Sequence, residues 1–392
     1  MRWPSLDRRG FLIYGAGAAA AAGLGGCSRP GDGGAETVRP TAAPAAQPPP
    51  DGRPPRRLSY TFPRQAEPLA ERLRDAGIEI VYGPNSVPAP AGISPAAREG
   101  WAALPQMPLP AGEPAKLAAV REFSAATEDA EYAKWSATHA MGDRTVNGIT
   151  TLWVTPRDLV NPDKLMVFVH GGAWIINSRR TQLALQCAVA DTLGVRVVSL
   201  EYRLAPEHPY PAGLDDIVAA YSGLAEQFRP GDIGMYGISA GGGLTLAALL
   251  RLKASGGPLP GAAAALCPGA DMTHSGYLFG AVGLNDPVLS PYDIDVSMRA
   301  YVDNADPEDP LVSPVFGDYT GSPPLFLMAT TAEIIGSDAV RVAQRARVQG
   351  VDTTLSVSDG MWHVPIADGS GIPELQGAYD QMIGFFRRHL RI

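Results

Sequence analysis

Asp232-Ile233-Gly234-Met235-Tyr236-Gly237-Ile238-Ser239-Ala240-Gly241 joins strand, turn and helix in ten residues, and the fold class follows from it. Its first five residues read as a short apolar strand, and residues 240–253 are apolar and long enough for a helix. Between them lies a G-x-S-x-G turn, in the strand-to-helix context that this motif requires. A turn that sharp forces its central residue into a strained conformation. Gly237 and Gly241 let the neighbouring backbones approach, and the hydroxyl of Ser239 then projects above the sheet. The helix behind it aims backbone N–H groups at the same point. Ser239 is therefore the candidate nucleophile, and the turn is more than a Gly/Ser loop.

The same alternation extends on both sides. Apolar runs over 165–170, 195–200, 262–267, 325–329 and 353–357 read as strands. Segments over 182–193, 214–227 and 337–349 between them read as helices, the last stopping at Gly350. Continuous apolar strands separated by helices imply a mostly parallel sheet buried on both faces. Residues 148–155 alternate, as an antiparallel strand near one end does. Two regions break the pattern: residues 58–147, with helical pieces at 65–76 and 117–125, and an Asp- and Gly-containing excursion over 270–318. Both are expected to form a lid over the strand ends, because long insertions in compact folds are usually functional.

Composition fits one such unit behind an address. The chain has 392 residues with 45% hydrophobic content, enough for a large core. Of its Gly and Pro residues, 19 fall in the first 57, so that stretch is not part of the core. Arg8-Arg9-Gly10-Phe11 followed by an Ala/Gly-rich run to Leu24 resembles a twin-arginine export signal. The run is short against the ~20 residues of a membrane span. It closes on Leu24-Gly25-Gly26-Cys27, which resembles a lipoprotein cleavage box. The expected division is a signal peptide over 1–26, a Pro/Ala/Gly-rich tether over 27–57, a lid region over 58–147 and a catalytic domain over 148–392. Cys27 would carry the lipid, placing the exported protein at a bacterial membrane or cell envelope. The net charge of −8 and the lack of basic clusters beyond Arg56-Arg57 and Arg387-Arg388 argue against a nucleic-acid partner. Cys27, Cys187 and Cys267 form no zinc-type spacing, so no metal site is expected. Cys267 ends a strand-like run and reads as a small core residue, ahead of a possible disulfide to Cys187.

A serine hydroxyl needs a base, and the base an orienting acid. Chain order in this architecture is serine, acid, histidine. His363, in Gly360-Met361-Trp362-His363, follows the last strand and is the expected base. His274 lies in the excursion and His389 in the C-terminal helix, where it reads as surface. Two carboxylates compete for the acid beyond the 325–329 strand: Glu333 on the loop, favoured by position, and Asp338 at the start of the next helix, where a capping role is ordinary. Asp215 and Asp216 precede Ser239 and read as structural. Backbone N–H groups of Gly171, Gly172 and Ala173, in His170-Gly171-Gly172-Ala173-Trp174, can face the same point as that of Ala240, forming an oxyanion hole. His170 reads as a structural hydrogen-bonding residue.

With these residues in place the chain resembles the hormone-sensitive lipase family of bacterial carboxylesterases, within the α/β-hydrolases. The marks are His170-Gly171-Gly172-Ala173, Tyr202-Arg203-Leu204-Ala205-Pro206-Glu207-His208-Pro209, Leu214-Asp215-Asp216 and Ser239-Ala240-Gly241-Gly242. Asp309-Pro310, Ser313-Pro314, Pro323-Pro324 and Gly350-Val351 with His363 continue them. The resemblance implies Ser239 as nucleophile, His363 as base, Glu333 at the acid position and oxyanion donors from the glycine-rich loop and Ala240. It implies a small-molecule ester substrate and no cofactor. Three positions depart from the family pattern: Ala173 at the third glycine, Ile238 where an aspartate is common, and Glu333 where Asp is commoner. An acyltransferase, or a non-catalytic ligand-binding module, would share the same fold.

Overall fold

The computed structural model describes residues 87–392, apart from 103, 105–110, 283–284 and 365–371. The export signal, Cys27, the tether and the helix expected over 65–76 therefore lie outside the described residues.

The strands that read as continuous apolar runs form the middle of one sheet. They are β1 (Ala140–Val146), β2 (Ile149–Thr155), β3 (Leu165–Val169), β4 (Arg196–Leu200), β5 (Ile233–Ile238), β6 (Ala262–Leu266), β7 (Leu325–Thr330) and β8 (Thr353–Ser358). The order is β1-β2-β4-β3-β5-β6-β7-β8. β4 through β8 are all parallel to β3, whereas β2 runs antiparallel to β4 and to β1. Register places Val167 of β3 between Val198 of β4 and Met235 of β5. Every residue of β3, β5, β6 and β7 is buried, which is why these strands show no alternation.

The helices are α1 (Pro95–Ala102), α2 (Pro114–Ser136), α3 (Leu183–Leu193), α4 (Ala212–Ala225), α5 (Ala240–Ala254), α6 (Tyr277–Val282), α7 (Pro291–Val302), α8 (Gly336–Val348) and α9 (Pro373–Leu390). Alternate strand residues Met166, Phe168, Tyr236, Phe326 and Met328 meet α3 and α9 in one cluster. Phe168 and Tyr236 lie 4.9 Å apart there, and Phe326 lies 5.7 Å from Phe385 of α9. Helices α4, α5 and α8 pack on the strands outside that cluster. Burying each such aromatic contributes about 1.5–3 kcal/mol.

Three expectations change. The lid region expected over 58–147 ends in a sheet strand: β1 pairs with β2 from Ala140↔Thr155 to Val146↔Ile149. β1 is mostly exposed and carries no alternating pattern, so periodicity passes over it. Its signal is the turn, since Asn147 and Gly148 both have positive φ, as a two-residue hairpin needs. The helix expected over 117–125 runs on to Ser136. Its polar second half is held by packing of Tyr132 and Trp135 on the core and by Glu128, which accepts the N–H of Ser178 at 3.0 Å. His389 is not a surface residue: only 14% of its side chain is exposed, and its ring lies 4.6 Å from Phe385. Cys187 and Cys267 are both buried free thiols.

Candidate active site

β5 delivers the chain to Ser239 at the top of the parallel sheet, and α5 leaves from the next residue. Ser239 has φ 55° and ψ −123°, a conformation costing about 1–3 kcal/mol that the surroundings must hold. They do so with backbone bonds: Ser239 N–H donates to Leu266 at 2.9 Å, and its carbonyl accepts from Gly243 and Gly269 at 3.1 Å each. A Cβ on Gly241 would lie 2.2 Å from the carbonyl oxygens of Val169 and His170, and one on Gly237 would lie 2.2 Å from that of Gly241. Side chains are therefore excluded at both flanking positions. The Gly243-to-Ser239 bond is the first of α5, so the N–H of Ala240 precedes the helical ladder and is left for the site.

β3 ends against this turn. A Cβ on Gly171 would lie 3.0 Å from the carbonyl of Ile238 and 3.2 Å from Cβ of Ser239, so the glycine-rich loop and the elbow are in backbone contact. Gly172, Ala173 and Trp174 all have positive φ, which curls the loop over β5. Four side chains brace it. The Tyr202 hydroxyl donates to the carbonyl of His170 at 2.9 Å, and the two rings stack at 4.1 Å. Asn177 Nδ2 donates to the carbonyl of Gly171 at 3.3 Å, and its Oδ1 accepts from Ser124 at 2.6 Å. Arg121 Nε donates to the carbonyl of Ile175 at 2.7 Å. Burial lowers the pKa of His170, favouring the neutral ring of a structural residue.

The remaining candidates stand on the loops after β7 and β8. His363 Nε2 lies 2.8 Å from Ser239 Oγ. On its other side, His363 Nδ1 makes a short hydrogen bond to Glu333 Oε2. Glu333 is wholly buried, and its Oε1 accepts the N–H of Thr330 at 3.0 Å. The two loops are tied together: Gly360 N–H donates to Thr331 Oγ1 at 2.7 Å and Ala332 N–H to the carbonyl of Met361 at 3.1 Å. With Glu333 ionised the Nδ1 proton points at it, leaving Nε2 to accept from the serine hydroxyl. Asp338, the alternative acid, sits in the first turn of α8 with its Oδ2 accepting the N–H of Ala270 at 2.9 Å. Burial pushes its carboxyl well above the usual range. It is Glu333 that the fold joins to His363.

Helix α1 packs beneath the histidine loop. Trp101 meets Trp362 edge-on at 6.1 Å, within an apolar cluster that includes Ile93, Met361 and Leu375. Ser94, ahead of α1, donates its N–H at 2.7 Å and its hydroxyl at 2.9 Å to the carboxylate of Glu374 in α9.

Cys267, Glu333 and His363 are the one group of possible metal ligands among the described residues, with ligand atoms within 4.8 Å of one another. Both imidazole nitrogens are already engaged with Glu333 and Ser239, and burial with the neighbouring Glu333 charge pushes the thiol of Cys267 far up. A protonated thiol is a poor ligand, so the group reads as hydrogen-bonded.

Sequence reasoning missed Arg121, Ser124 and Asn177 as supports of the glycine-rich loop. Tyr202-Arg203 stands out in the sequence only as a family mark. Arg203 forks onto Asp216 at 2.8 Å, consistent with the structural reading of that aspartate. Arg121 also forks onto Glu207 at 2.7 and 2.9 Å, tying α2 to the same motif.

Known proteins resemble this chain in sequence and in fold. A family model described as alpha/beta hydrolase fold matches residues 166–367. An acetyl-hydrolase of Streptomyces hygroscopicus is 34% identical over 242 residues, covering 60% of this chain and 80% of that protein. An esterase of Acinetobacter venetianus is 33% identical over 202 residues, covering 51% and 67%. Among solved structures, an esterase from the bacterial hormone-sensitive lipase family is 33% identical with a TM-score of 0.65, over 70% of this chain and 92% of that one. An esterase/lipase from an uncultured bacterium is 31% identical with the same TM-score, over 70% and 92%.

Proposed function

Since this chain belongs to the α/β-hydrolase family, as a carboxylic ester hydrolase of the hormone-sensitive lipase type, we propose that it cleaves small to medium acyl esters through Ser239, His363 and Glu333. The observation that carries this reading is the continuous hydrogen-bonded line from Ser239 Oγ through His363 to a buried carboxylate. Ser239 attacks the ester carbonyl as His363 Nε2 takes its proton. Negative charge develops on the carbonyl oxygen, where the N–H groups of Ala240 and of Gly171, Gly172 or Ala173 receive it. Each such donor is worth about 3 kcal/mol in comparable sites. His363 then returns the proton to the leaving alcohol, and the acyl-enzyme remains. Water, deprotonated by the same imidazole, attacks the acyl carbon and releases the acid and Ser239. Glu333 keeps the Nδ1 proton and stabilises the imidazolium that forms twice per cycle.

The segment over 270–318 and the residues ahead of β1 set acyl and alcohol preference in this reading. Among the described residues no helix is long and apolar enough to cross a membrane. Attachment is proposed to come from lipid on Cys27 after export, which Cys27→Ser tests: the variant should move from the membrane fraction to the soluble one.

Ser239→Ala tests the chemistry. Hydrolysis of p-nitrophenyl acetate and butyrate should fall to background while the circular dichroism melt stays unchanged. Turnover at the parent rate would overturn the assignment of Ser239, whereas a parent protein that hydrolyses neither ester would favour a ligand-binding module on the same fold. Product analysis with added alcohols separates hydrolysis from acyl transfer.

A further inference from the structure

Asp286 lies in the segment between α6 and α7, and its side chain is fully buried among backbone donors. Its Oδ1 accepts the N–H groups of Val288 and Leu289, both at 2.8 Å. Its Oδ2 reaches out of that segment to the N–H of Ile334, also at 2.8 Å. Ile334 directly follows Glu333, whose own carboxylate is held on the other side by the N–H of Thr330. Val288 and Ala332 close the junction by packing on the cluster of Ile93, Trp101 and Trp362.

We propose that Asp286 is a positioning residue for the reaction, clamping the 270–318 insertion to the Glu333 loop so that Glu333 faces His363. The proposal rests on the reading of Ser239, His363 and Glu333 given above. Three features support it. A purely local turn would use only the two bonds to Val288 and Leu289, whereas the third crosses to the residue after Glu333. An ionised carboxylate offers acceptors to all three donors, but a protonated one turns one oxygen into a donor and must release a bond. Finally, the histidine loop after β8 favours the ionised form of Asp286, the form that holds all three donors. Glu333 is the titratable group of the loop that Asp286 bonds. Burial raises the carboxyl of Asp286 to about 6, with the backbone donors and His363 pulling the other way. The clamp is therefore made at neutral pH and loosens in mild acid.

The test compares the parent enzyme with Asp286→Asn and with Val302→Ala, which trims a buried side chain of the same insertion but leaves the carboxylate and its partners. Competent sites are counted by the burst of p-nitrophenol from an alkyl p-nitrophenyl phosphonate, and kcat and KM for p-nitrophenyl butyrate are measured per counted site from pH 4.5 to 9. Asp286→Asn should lower kcat per site 10- to 100-fold with KM within threefold. Two protons should shape the acid limb of the parent profile, and one proton that of the variant. Val302→Ala should melt earlier at unchanged kcat per site. A kcat per site in Asp286→Asn within twofold of the parent, with the same acid limb, would make Asp286 merely structural. If Asp286→Asn does not fold, a one-proton acid limb in the parent overturns the proposal by itself. No burst in the parent would instead overturn the serine reading, and this proposal with it.

Discussion

Replacing Glu333 by Gln isolates the charge of the proposed acid from its shape. Glu333 Oε1 accepts the N–H of Thr330 at 3.0 Å, so the glutamine must keep its oxygen there. Its NH₂ is then forced toward His363 Nδ1. Two donors cannot face each other, so the imidazole adopts the other tautomer, with its proton on Nε2 and pointing at Ser239. A base carrying its proton on the wrong nitrogen cannot accept the serine hydroxyl. The same change of charge and tautomer in another serine hydrolase costs about 10⁴ in kcat. A loss of 10³–10⁴ corresponds to ~4–5.5 kcal/mol in the barrier. Glu333→Gln should show that loss in p-nitrophenyl butyrate hydrolysis with KM within threefold and the melt little changed. Asp338→Asn, whose parent carboxylate bonds the N–H of Ala270, should keep kcat within tenfold. Near-parent kcat in Glu333→Gln, or a 10³-fold loss confined to Asp338→Asn, would remove Glu333 from the acid position.

Other expectations follow from packing and titration. Gly241→Ala places a methyl 2.2 Å from two backbone carbonyl oxygens, which cannot rotate away as side chains do. A cost of at least ~3 kcal/mol should lower the melting temperature by roughly 6–12 °C or abolish soluble expression. Trp101→Ala removes the edge-on partner of Trp362 from a buried cluster, and should cost about 3–5 kcal/mol in urea unfolding while lowering activity through the His363 loop. Asp286 is raised from 3.8 to about 6, so the native state binds its proton more tightly than the unfolded chain. Its contribution is full below pH 3.8 and is lost as pH rises through about 6. Urea unfolding should therefore show the stability of Asp286→Asn relative to the parent rising across that window, by up to roughly 3 kcal/mol.

Much of the fold is legible because burial on both faces leaves a simple mark. β3, β5, β6 and β7 are short runs of apolar residues between helix-length segments, and length alone separates strand from helix. β1 escapes because an exposed edge strand need not be apolar, although Asn147-Gly148 announces its turn. The second half of α2 escapes because its helicity depends on Tyr132 and Trp135 meeting a core that is distant in sequence. At the site, Ser239 and His363 are marked by short motifs next to strands. Glu333 and Asp338 are not separable by such marks, since both follow one strand within a few residues. What distinguishes them is direction: Glu333 turns toward the β8 loop, and Asp338 turns from the first turn of α8 toward Ala270. Asp286 carries no sequence signal at all, because its partner Ile334 lies far along the chain.

Every step proposed for this site depends on Ser239 being a nucleophile activated by His363. The most direct measurement is the intact mass and peptide map of the enzyme after reaction with an alkyl p-nitrophenyl phosphonate. One phosphonyl group per chain on the peptide containing Ser239, absent from Ser239→Ala and slowed at least a hundredfold in Glu333→Gln, is the predicted result. Labelling at another residue, or an esterase that turns over while Ser239 stays unmodified, would contradict it.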